Sequence, residues 1–180
     1  MAHILVVEDD PDIASLLSRG LGAAGHRVDW ADTVEAAADR IAAASFDAAI
    51  IDMMLGDDSG ASLLADLRAQ GLAEDTIVLV TGDHAEEFND LKLNYWGHNG
   101  NFSDYQLQVP FVLHWPGKAA GHDARTSSHE DWVPTLMRHA LGCENALADY
   151  STGQDLLAEP QGQRALVVES WSQRAVRHGD

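Results

Sequence analysis

The chain has 180 residues and a formal net charge of −18, a length that suits one domain, or one and a fraction. Such a negative charge argues against nucleic acid and anionic membranes as partners, because both require a basic surface. Hydrophobic residues make up 46% of the chain, so a core can form. The single cysteine, Cys143, excludes an internal disulfide and fits a reducing compartment.

The N-terminal apolar run is too short for a signal peptide, and acidic residues follow it directly. No stretch approaches the roughly 20 apolar residues of a membrane span. We therefore expect a cytoplasmic protein with no membrane span. The sequence leaves its oligomeric state open.

Short apolar runs alternate with helical patterns over the first eighty residues. Strands are predicted at 4–7, 28–31, 48–51 and 77–80, and helices at 11–24, at 34–45 and around Leu63, Leu64 and Leu67. Asp10 is expected to cap the first helix, with Pro11 in its first turn. Asp32 or Thr33 is expected to cap the second helix. This order predicts an α/β fold of three layers, with a mainly parallel sheet and right-handed crossovers.

Polar side chains follow three of the predicted strands. Glu8 and Asp9 follow the first strand, Asp52 ends the third and Thr81 ends the fourth. Ligands of parallel sheets gather at the carboxyl ends of the strands, so these groups are expected to converge. Carboxylate oxygens suit Mg²⁺. An aspartate beside such an ion can attack a phosphoryl group.

The segments ILVVEDD, IIDMML and IVLVTG, at these spacings, resemble the receiver domain of two-component response regulators. The resemblance implies a flavodoxin-like fold and a histidine kinase or phosphotransfer protein as partner. It also implies that Glu8 and Asp9 are the acidic metal-binding pair and that Asp52 is the phospho-acceptor. Met54 would supply a backbone carbonyl to Mg²⁺, and Thr81 would be the switch hydroxyl.

The receiver resemblance ends near residue 82. A receiver continues with a fifth strand that ends in Lys-Pro, and that lysine contacts the phosphoryl group. The only lysines here are Lys92 and Lys118, and neither lies in such a context. We therefore expect residues 1–82 to be an incomplete receiver, impaired in switching.

Composition changes at the same point, because the lysines, the tyrosines and four of the five tryptophans all follow residue 82. The segments TIVLVTGDHAEEFND, NYWGHNGNFS, VPFVLHWPGK, SSHEDWVPTLMRHALG and DYSTGQDLL resemble the C-terminal part of sulfatase-like hydrolases of the alkaline-phosphatase superfamily. The match covers about 76–170 and is most similar to an inner-membrane type with a periplasmic sulfatase-like domain. It implies metal binding by Asp83, His84 and His98, and these ligands suit Zn²⁺ or Mn²⁺.

The sulfatase resemblance does not supply a complete hydrolase site. In that family the nucleophile and another metal-binding aspartate come from the N-terminal half, which receiver-like sequence occupies here. Ala85 also stands where the family has glycine, and a positive φ there would cost on the order of 1 kcal/mol.

The strand at 76–81 fits both resemblances, so we expect it to join a receiver-like part, 1–82, to a sulfatase-like part, 83–180. A strand at 109–115 is expected beside it and a helix at 129–141 over it, capped by Ser128 or Asp131, with a further strand at 166–170. Residues 82–108 show little periodicity, and we expect them to be poorly ordered.

Three functions remain open on the sequence. The first is a signalling module that uses Mg²⁺ and Asp52. The second is a metal-binding sulfatase fragment, and the third is an inert fusion of the two. Metal preference separates the first two functions. Binding of Mg²⁺ at Glu8, Asp9 and Asp52 would support the signalling module. Binding of Zn²⁺ or Mn²⁺ at Asp83, His84 and His98 would support the sulfatase fragment.

Overall fold

A computed structural model of the chain describes residues 1–69, 71–160, 162, 164–170 and 173–178. The chain divides into two compact units. The first consists of Met1–Val78 and Leu113–Gly117, and the second of Leu79–Val112 and Lys118–Asp180. The division between families at residue 82 stays a prediction.

The first unit contains the predicted alternation of strands and helices. Its elements are β1 (His3–Val7), α1 (Pro11–Ala23), β2 (Arg27–Ala31), α2 (Val34–Ala43), β3 (Ala48–Ile51), the short strands β4 (Met54–Leu55) and β5 (Asp58–Ser59), and α3 (Gly60–Ala69). The two predicted helix starts are confirmed. The Asp10 carboxylate accepts hydrogen bonds from the backbone N–H groups of Asp12 and Ile13, and the Thr33 hydroxyl accepts one from Ala36 N–H.

The sheet of the first unit is parallel, with the strand order β2-β1-β3. The chain moves from β1 to β2 in one direction and then crosses β1 to reach β3. Right-handed crossovers place α1 and α2 on opposite faces of such a sheet, which gives three layers. The predicted α/β class is therefore confirmed, and this order puts the crevice beside the carboxyl end of β1.

The core of the first unit lies between the sheet and the helices α2 and α3. Leu5 and Val7 of β1 are buried there with Leu55, Leu63 and Ala37. The alternate β1 residues, Ile4 and Val6, are also buried. A strand buried on both faces explains why β1 reads as an unbroken apolar run.

The second unit is built from shorter elements. They are β6 (Val78–Thr81), whose first residue belongs to the first unit, β7 (Glu87–Phe88), β8 (Trp96–Gly97), α4 (Asp104–Leu107), β9 (Phe111–His114), whose last two residues belong to the first unit, α5 (Trp132–His139), β10 (Ala165–Glu169) and β11 (Arg174–His178). The expected pairing of the strand near 111 with the strand near 78 is confirmed, because β6 and β9 form a two-stranded sheet. The strand expected at 166–170 is β10, and it pairs with β11.

Residues 82–108 differ from the expectation of poor order. They form the antiparallel pair β7–β8 and the short helix α4. The segment is held by a buried polar network, which a search for hydrophobic periodicity does not detect. The Oε2 atom of Glu87 accepts hydrogen bonds from Asn101 Nδ2 at 2.9 Å and from Gln106 Nε2 at 2.7 Å.

The start of α5 is organised by a buried aspartate. The sequence predicts that Ser128 or Asp131 caps a helix at 129–141. The two residues instead form a reciprocal capping box around one turn of 3₁₀ helix, which precedes α5. Asp131 is fully buried and also accepts a hydrogen bond from Gln154 N–H at 2.8 Å. Arg164 pairs with it at 2.6 Å, so one carboxylate joins three distant parts of the chain.

Within the described ranges, no helix is both long enough and apolar enough to cross a membrane.

Candidate functional sites

The first candidate site lies at the carboxyl ends of β1 and β3. The parallel ladder continues one residue beyond each strand, because Glu8 N–H donates to Ala31 O at 3.0 Å and Asp52 N–H donates to Val7 O at 2.9 Å. Glu8 and Asp52 are therefore held by the backbone of the central strands. This rigid placement is typical of functional residues in parallel sheets.

Each carboxylate of this site is oriented by a backbone donor. Asp52 Oδ1 accepts a hydrogen bond from Met54 N–H at 3.1 Å. Asp9 Oδ2 accepts one from Gly56 N–H at 2.9 Å, and Gly56 reaches this geometry with a φ of 61°. Glu8 Oε1 accepts one from Asp10 N–H at 3.2 Å.

The three carboxylates converge as the sequence predicts. Glu8, Asp9 and Asp52 each offer one oxygen, and these oxygens lie within 4.8 Å of one another. Burial raises the pKa of the Glu8 carboxyl, and the charges of Asp52 and Asp9 raise it further. At this separation two like charges repel by about 1 kcal/mol in water and about 3 kcal/mol at an effective dielectric constant near 20. The arrangement fits a hard divalent cation, for which oxygen ligands are preferred.

A close backbone contact holds the Asp52 loop against α3. Gly60, the first residue of α3, lies so near Asp52 that a Cβ atom here would collide with the Asp52 carbonyl oxygen and with the Ile51 side chain. Gly60 N–H also donates to Met53 O at 3.2 Å. Only glycine permits this approach, so Gly60 helps to set the position of Asp52.

The other two residues of the predicted receiver site are described separately. Met54 lies in β4, with an exposed side chain, and its backbone carbonyl stays a predicted ligand. Thr81 ends β6 and belongs to the second unit. Its hydroxyl donates to Gly82 O at 3.3 Å, and its role as a switch also stays a prediction.

A second candidate site lies in the second unit, around the predicted residues His84 and His98. Their rings contact each other with centroids 3.8 Å apart. His98 Nδ1 lies 2.8 Å from Glu86 Oε2. His84, Glu86 and His98 each offer one ligand atom within 4.8 Å of the others, and all three are exposed. Two imidazoles and one carboxylate suit Zn²⁺ and similar ions.

Asp83, the other predicted ligand of this region, is placed differently. Its side chain is 90% exposed, and its Oδ2 lies 3.7 Å from His84 Nε2. Its Oδ1 accepts a hydrogen bond from His84 N–H at 2.9 Å. Asp83 is not among the three residues whose ligand atoms converge. Its role as a ligand stays a prediction.

The sequence analysis missed Glu86 and Glu87. The carboxylate of Glu86 belongs to the second site, and Glu87 anchors the segment that carries the site. Hydrogen bonds from Asn101 and Gln106 lower the pKa of the Glu87 carboxyl. The available signal was the pair of acids after Asp-His, since neighbouring side chains of an extended segment point to opposite sides. Glu86 is exposed, and Glu87, which begins β7, is buried. Ala85 does not have a positive φ, so the strain considered for alanine there does not arise.

Comparison with known proteins supports both resemblances. The Sulfatase family matches residues 31–143, more than half of the chain and beginning within the receiver-like part. The inner membrane protein YejM of Salmonella typhimurium is 29% identical over 110 residues, which cover 61% of this chain and 18% of YejM. The transcriptional regulatory protein TcrA of Mycobacterium tuberculosis is 36% identical over 111 residues, which cover 62% of this chain and 41% of TcrA.

Among solved structures, the response regulator TrrA of Thermotoga maritima, in complex with Mg(2+)-BeF, is similar at 30% identity with a TM-score of 0.39. The similarity covers 41% of this chain and 64% of TrrA. The chain thus spans less than a fifth of YejM and less than half of TcrA. It combines receiver-like with sulfatase-like sequence, and by the extent of the family match it belongs to the sulfatase family.

Proposed function

We propose that the chain is a phospho-acceptor of a two-component phosphorelay, with Asp52 as the residue that receives the phosphoryl group. The observation that carries the proposal is the convergence of Glu8, Asp9 and Asp52 within 4.8 Å at the ends of two parallel strands. Three carboxylates at such distances repel one another, and a divalent cation turns this repulsion into binding free energy. Oxygen ligands alone favour Mg²⁺ over a softer metal.

The chemistry of the proposal is a single transfer. A carboxylate oxygen of Asp52 attacks the phosphorus of a phosphohistidine, a P–O bond forms and the P–N bond breaks, and the imidazole leaves. A Mg²⁺ ion held by Glu8, Asp9 and Asp52 would neutralise charge on the transferring oxygens. The hydrogen bond from Met54 N–H orients Asp52 for this attack.

The remaining parts of the proposal follow the receiver resemblance. The Met54 carbonyl would be a further Mg²⁺ ligand, and Thr81 would be the switch hydroxyl. A histidine kinase or a phosphotransfer protein is the partner, which places the chain in the cytoplasm. The missing strand-five lysine leaves the switch impaired. Hydrolysis typical of the sulfatase family is the weaker candidate, because the resemblance places its nucleophile in the half of the family domain that receiver-like sequence occupies here.

Phosphorylation by acetyl phosphate tests the proposal. Intact mass spectrometry is expected to show one labile phosphoryl adduct that requires Mg²⁺. Asp52→Asn should abolish the adduct, because the nucleophilic carboxylate is lost. Asp57→Asn, in the same loop, is the matched control and should leave it unchanged. Absence of an adduct on wild-type protein with a native circular dichroism spectrum would refute the proposal.

A further inference from the structure

The segment 83–98 carries a metal-binding arrangement that shares no residue with the Asp52 site. We propose that His84, Glu86 and His98 bind one Zn²⁺ ion, with Glu86 in place of Asp83 as the carboxylate ligand. The proposal departs from the ligands that the sulfatase resemblance implies. It is also independent of the phospho-acceptor function.

The first argument is the geometry of the three side chains. Their ligand atoms lie within 4.8 Å of one another without any ion. Around a tetrahedral Zn²⁺ with bonds of about 2.0–2.1 Å, ligand atoms lie about 3.4 Å apart. The exposed side chains need to close by at most about 1.4 Å to reach that spacing. In closing, they exchange the 2.8 Å hydrogen bond between Glu86 and His98 for bonds to the ion.

The second argument is the choice of carboxylate. Asp83 Oδ1 is engaged by the backbone N–H of His84, and the Asp83 side chain is almost completely exposed. Glu86, by contrast, already contacts His98. All three proposed ligands come from one short segment, so the site requires nothing from the N-terminal part of the family domain.

The third argument is the rigidity of the segment that carries the ligands. Glu86 precedes the fully buried Glu87, and His98 follows Gly97, the partner of Glu87 in the β7–β8 pair. Tyr95 OH donates to His98 O at 2.5 Å. The ligands are therefore attached to a backbone that is fixed before the metal binds, which lowers the entropic cost of binding.

Two histidines and one carboxylate leave a fourth tetrahedral position for water. This ligand number is that of catalytic rather than structural zinc sites. Zn²⁺ is favoured over Mg²⁺ because imidazole nitrogen is a ligand for borderline metals and Mg²⁺ prefers oxygen.

Metal titration of the full chain tests the inference. Chelator-treated protein is titrated with Zn²⁺ by calorimetry and with Co²⁺ by visible absorption, where a tetrahedral nitrogen-oxygen site gives d–d bands. One equivalent is expected to bind. Glu86→Gln and His98→Ala should each weaken Zn²⁺ binding by at least about tenfold. Replacing a residue that only orients a metal ligand already lowers affinity by about 10–100-fold, and loss of the ligand itself should lower it at least as much.

Asp83→Asn is the matched control and should bind Zn²⁺ as tightly as the wild type. Asp52→Asn should also leave Zn²⁺ binding unchanged, which separates this result from failure of the phospho-acceptor function. The inference is overturned if Glu86→Gln binds normally. It is equally overturned if Asp83→Asn loses as much affinity as Glu86→Gln, because the carboxylate ligand would then be Asp83. Circular dichroism of every variant confirms that the fold persists.

Discussion

At the scale of single residues, Glu8 shows how the Asp52 site stores unfavourable free energy. Its side chain is 7% exposed and faces the carboxylates of Asp52 and Asp9, whose charges raise the pKa of Glu8 beyond the effect of burial. Glu8→Gln removes one charge and keeps the shape of the side chain. In metal-free buffer we expect the variant to be more stable than the wild type by about 1 kcal/mol in urea unfolding.

The same variant should respond differently to metal. Mg²⁺ is expected to stabilise the wild type, because it binds the native state alone. Glu8→Gln should lose most of this stabilisation. Equal stabilisation of both proteins by Mg²⁺ would place the ion elsewhere.

Gly60 makes a second residue-scale prediction. Gly60→Ala forces the added methyl group against the Asp52 carbonyl, and overpacking of this kind costs about 1–3 kcal/mol. It should also slow phosphorylation of Asp52, measured by intact mass against time. Gly22→Ala, in α1 with no atom within 4 Å of the new Cβ, is the matched control. Alanine there should be stabilising by about 0.5–1 kcal/mol.

At the scale of elements, Asp131 determines how α5 begins. Its carboxylate accepts hydrogen bonds from Ser128 N–H and Gln154 N–H and pairs with Arg164. Asp131→Ala leaves these donors and the guanidinium without their buried partner. We expect a loss of about 3–5 kcal/mol. Exposed Asp149 gives the control, because Asp149→Ala should change the free energy of unfolding by less than about 0.5 kcal/mol.

Hydrogen exchange locates the effect of Asp131→Ala. Amide protons of α5 and of residues 151–156 should lose protection together, since one carboxylate holds both. Loss confined to the first turn of α5 would show that Asp131 acts as a helix cap alone.

Elements set by local pattern could be predicted from the sequence, and elements set by buried polar contacts could not. The strands β1 to β3 and the helices α1 to α3 follow hydrophobic periodicity and capping residues, whereas the short strands β4 and β5 were not predicted. The convergence of Glu8, Asp9 and Asp52 follows from their positions at the carboxyl ends of parallel strands. The pair β7–β8 and the helix α4 depend on hydrogen bonds between Glu87, Asn101 and Gln106, which are 14 and 19 residues apart in sequence. A carboxylate buried by such partners looks like an ordinary surface acid in the sequence. Glu86 is exposed, and it was missed because its partner His98 lies 12 residues away in sequence.

At the scale of the whole molecule, the two units are stabilised by different kinds of contact. The buried alanine, valine, leucine and isoleucine residues of the described chain all lie in the first unit, and Pro134 is a buried apolar residue of the second. Buried residues with polar side chains, among them Glu87, Gln106, Asp131 and Thr135, characterise the second. We therefore expect the two units to respond differently to acid.

The pKa shifts give the sign of this difference. The Glu87 pKa is lowered in the fold, so its contribution to stability is present above the ordinary value of 4.5 and is lost as the pH falls through the lowered value. The Glu8 pKa is raised, so its contribution in metal-free buffer is present below 4.5 and is lost as the pH rises through the raised value.

Acidification from neutral pH should therefore destabilise the second unit while it relieves repulsion in the first. Hydrogen exchange at several pH values, corrected for the intrinsic exchange rate, measures each unit separately. Glu87→Gln should remove part of the acid sensitivity of residues 85–107. Uniform loss of protection in both units would contradict the prediction.

The division of the chain between the units also bears on its synthesis. Residues 1–51 contain all three strands of the β2-β1-β3 sheet, so this sheet can form while the ribosome is still translating the rest. Asp131, in contrast, finds its partner Arg164 only after 33 further residues have been added. At translation rates of about 5–20 residues per second, the segment of α5 waits for seconds before the guanidinium that pairs with Asp131 is available. We therefore expect α5 to gain stable packing only after Arg164 has been synthesised.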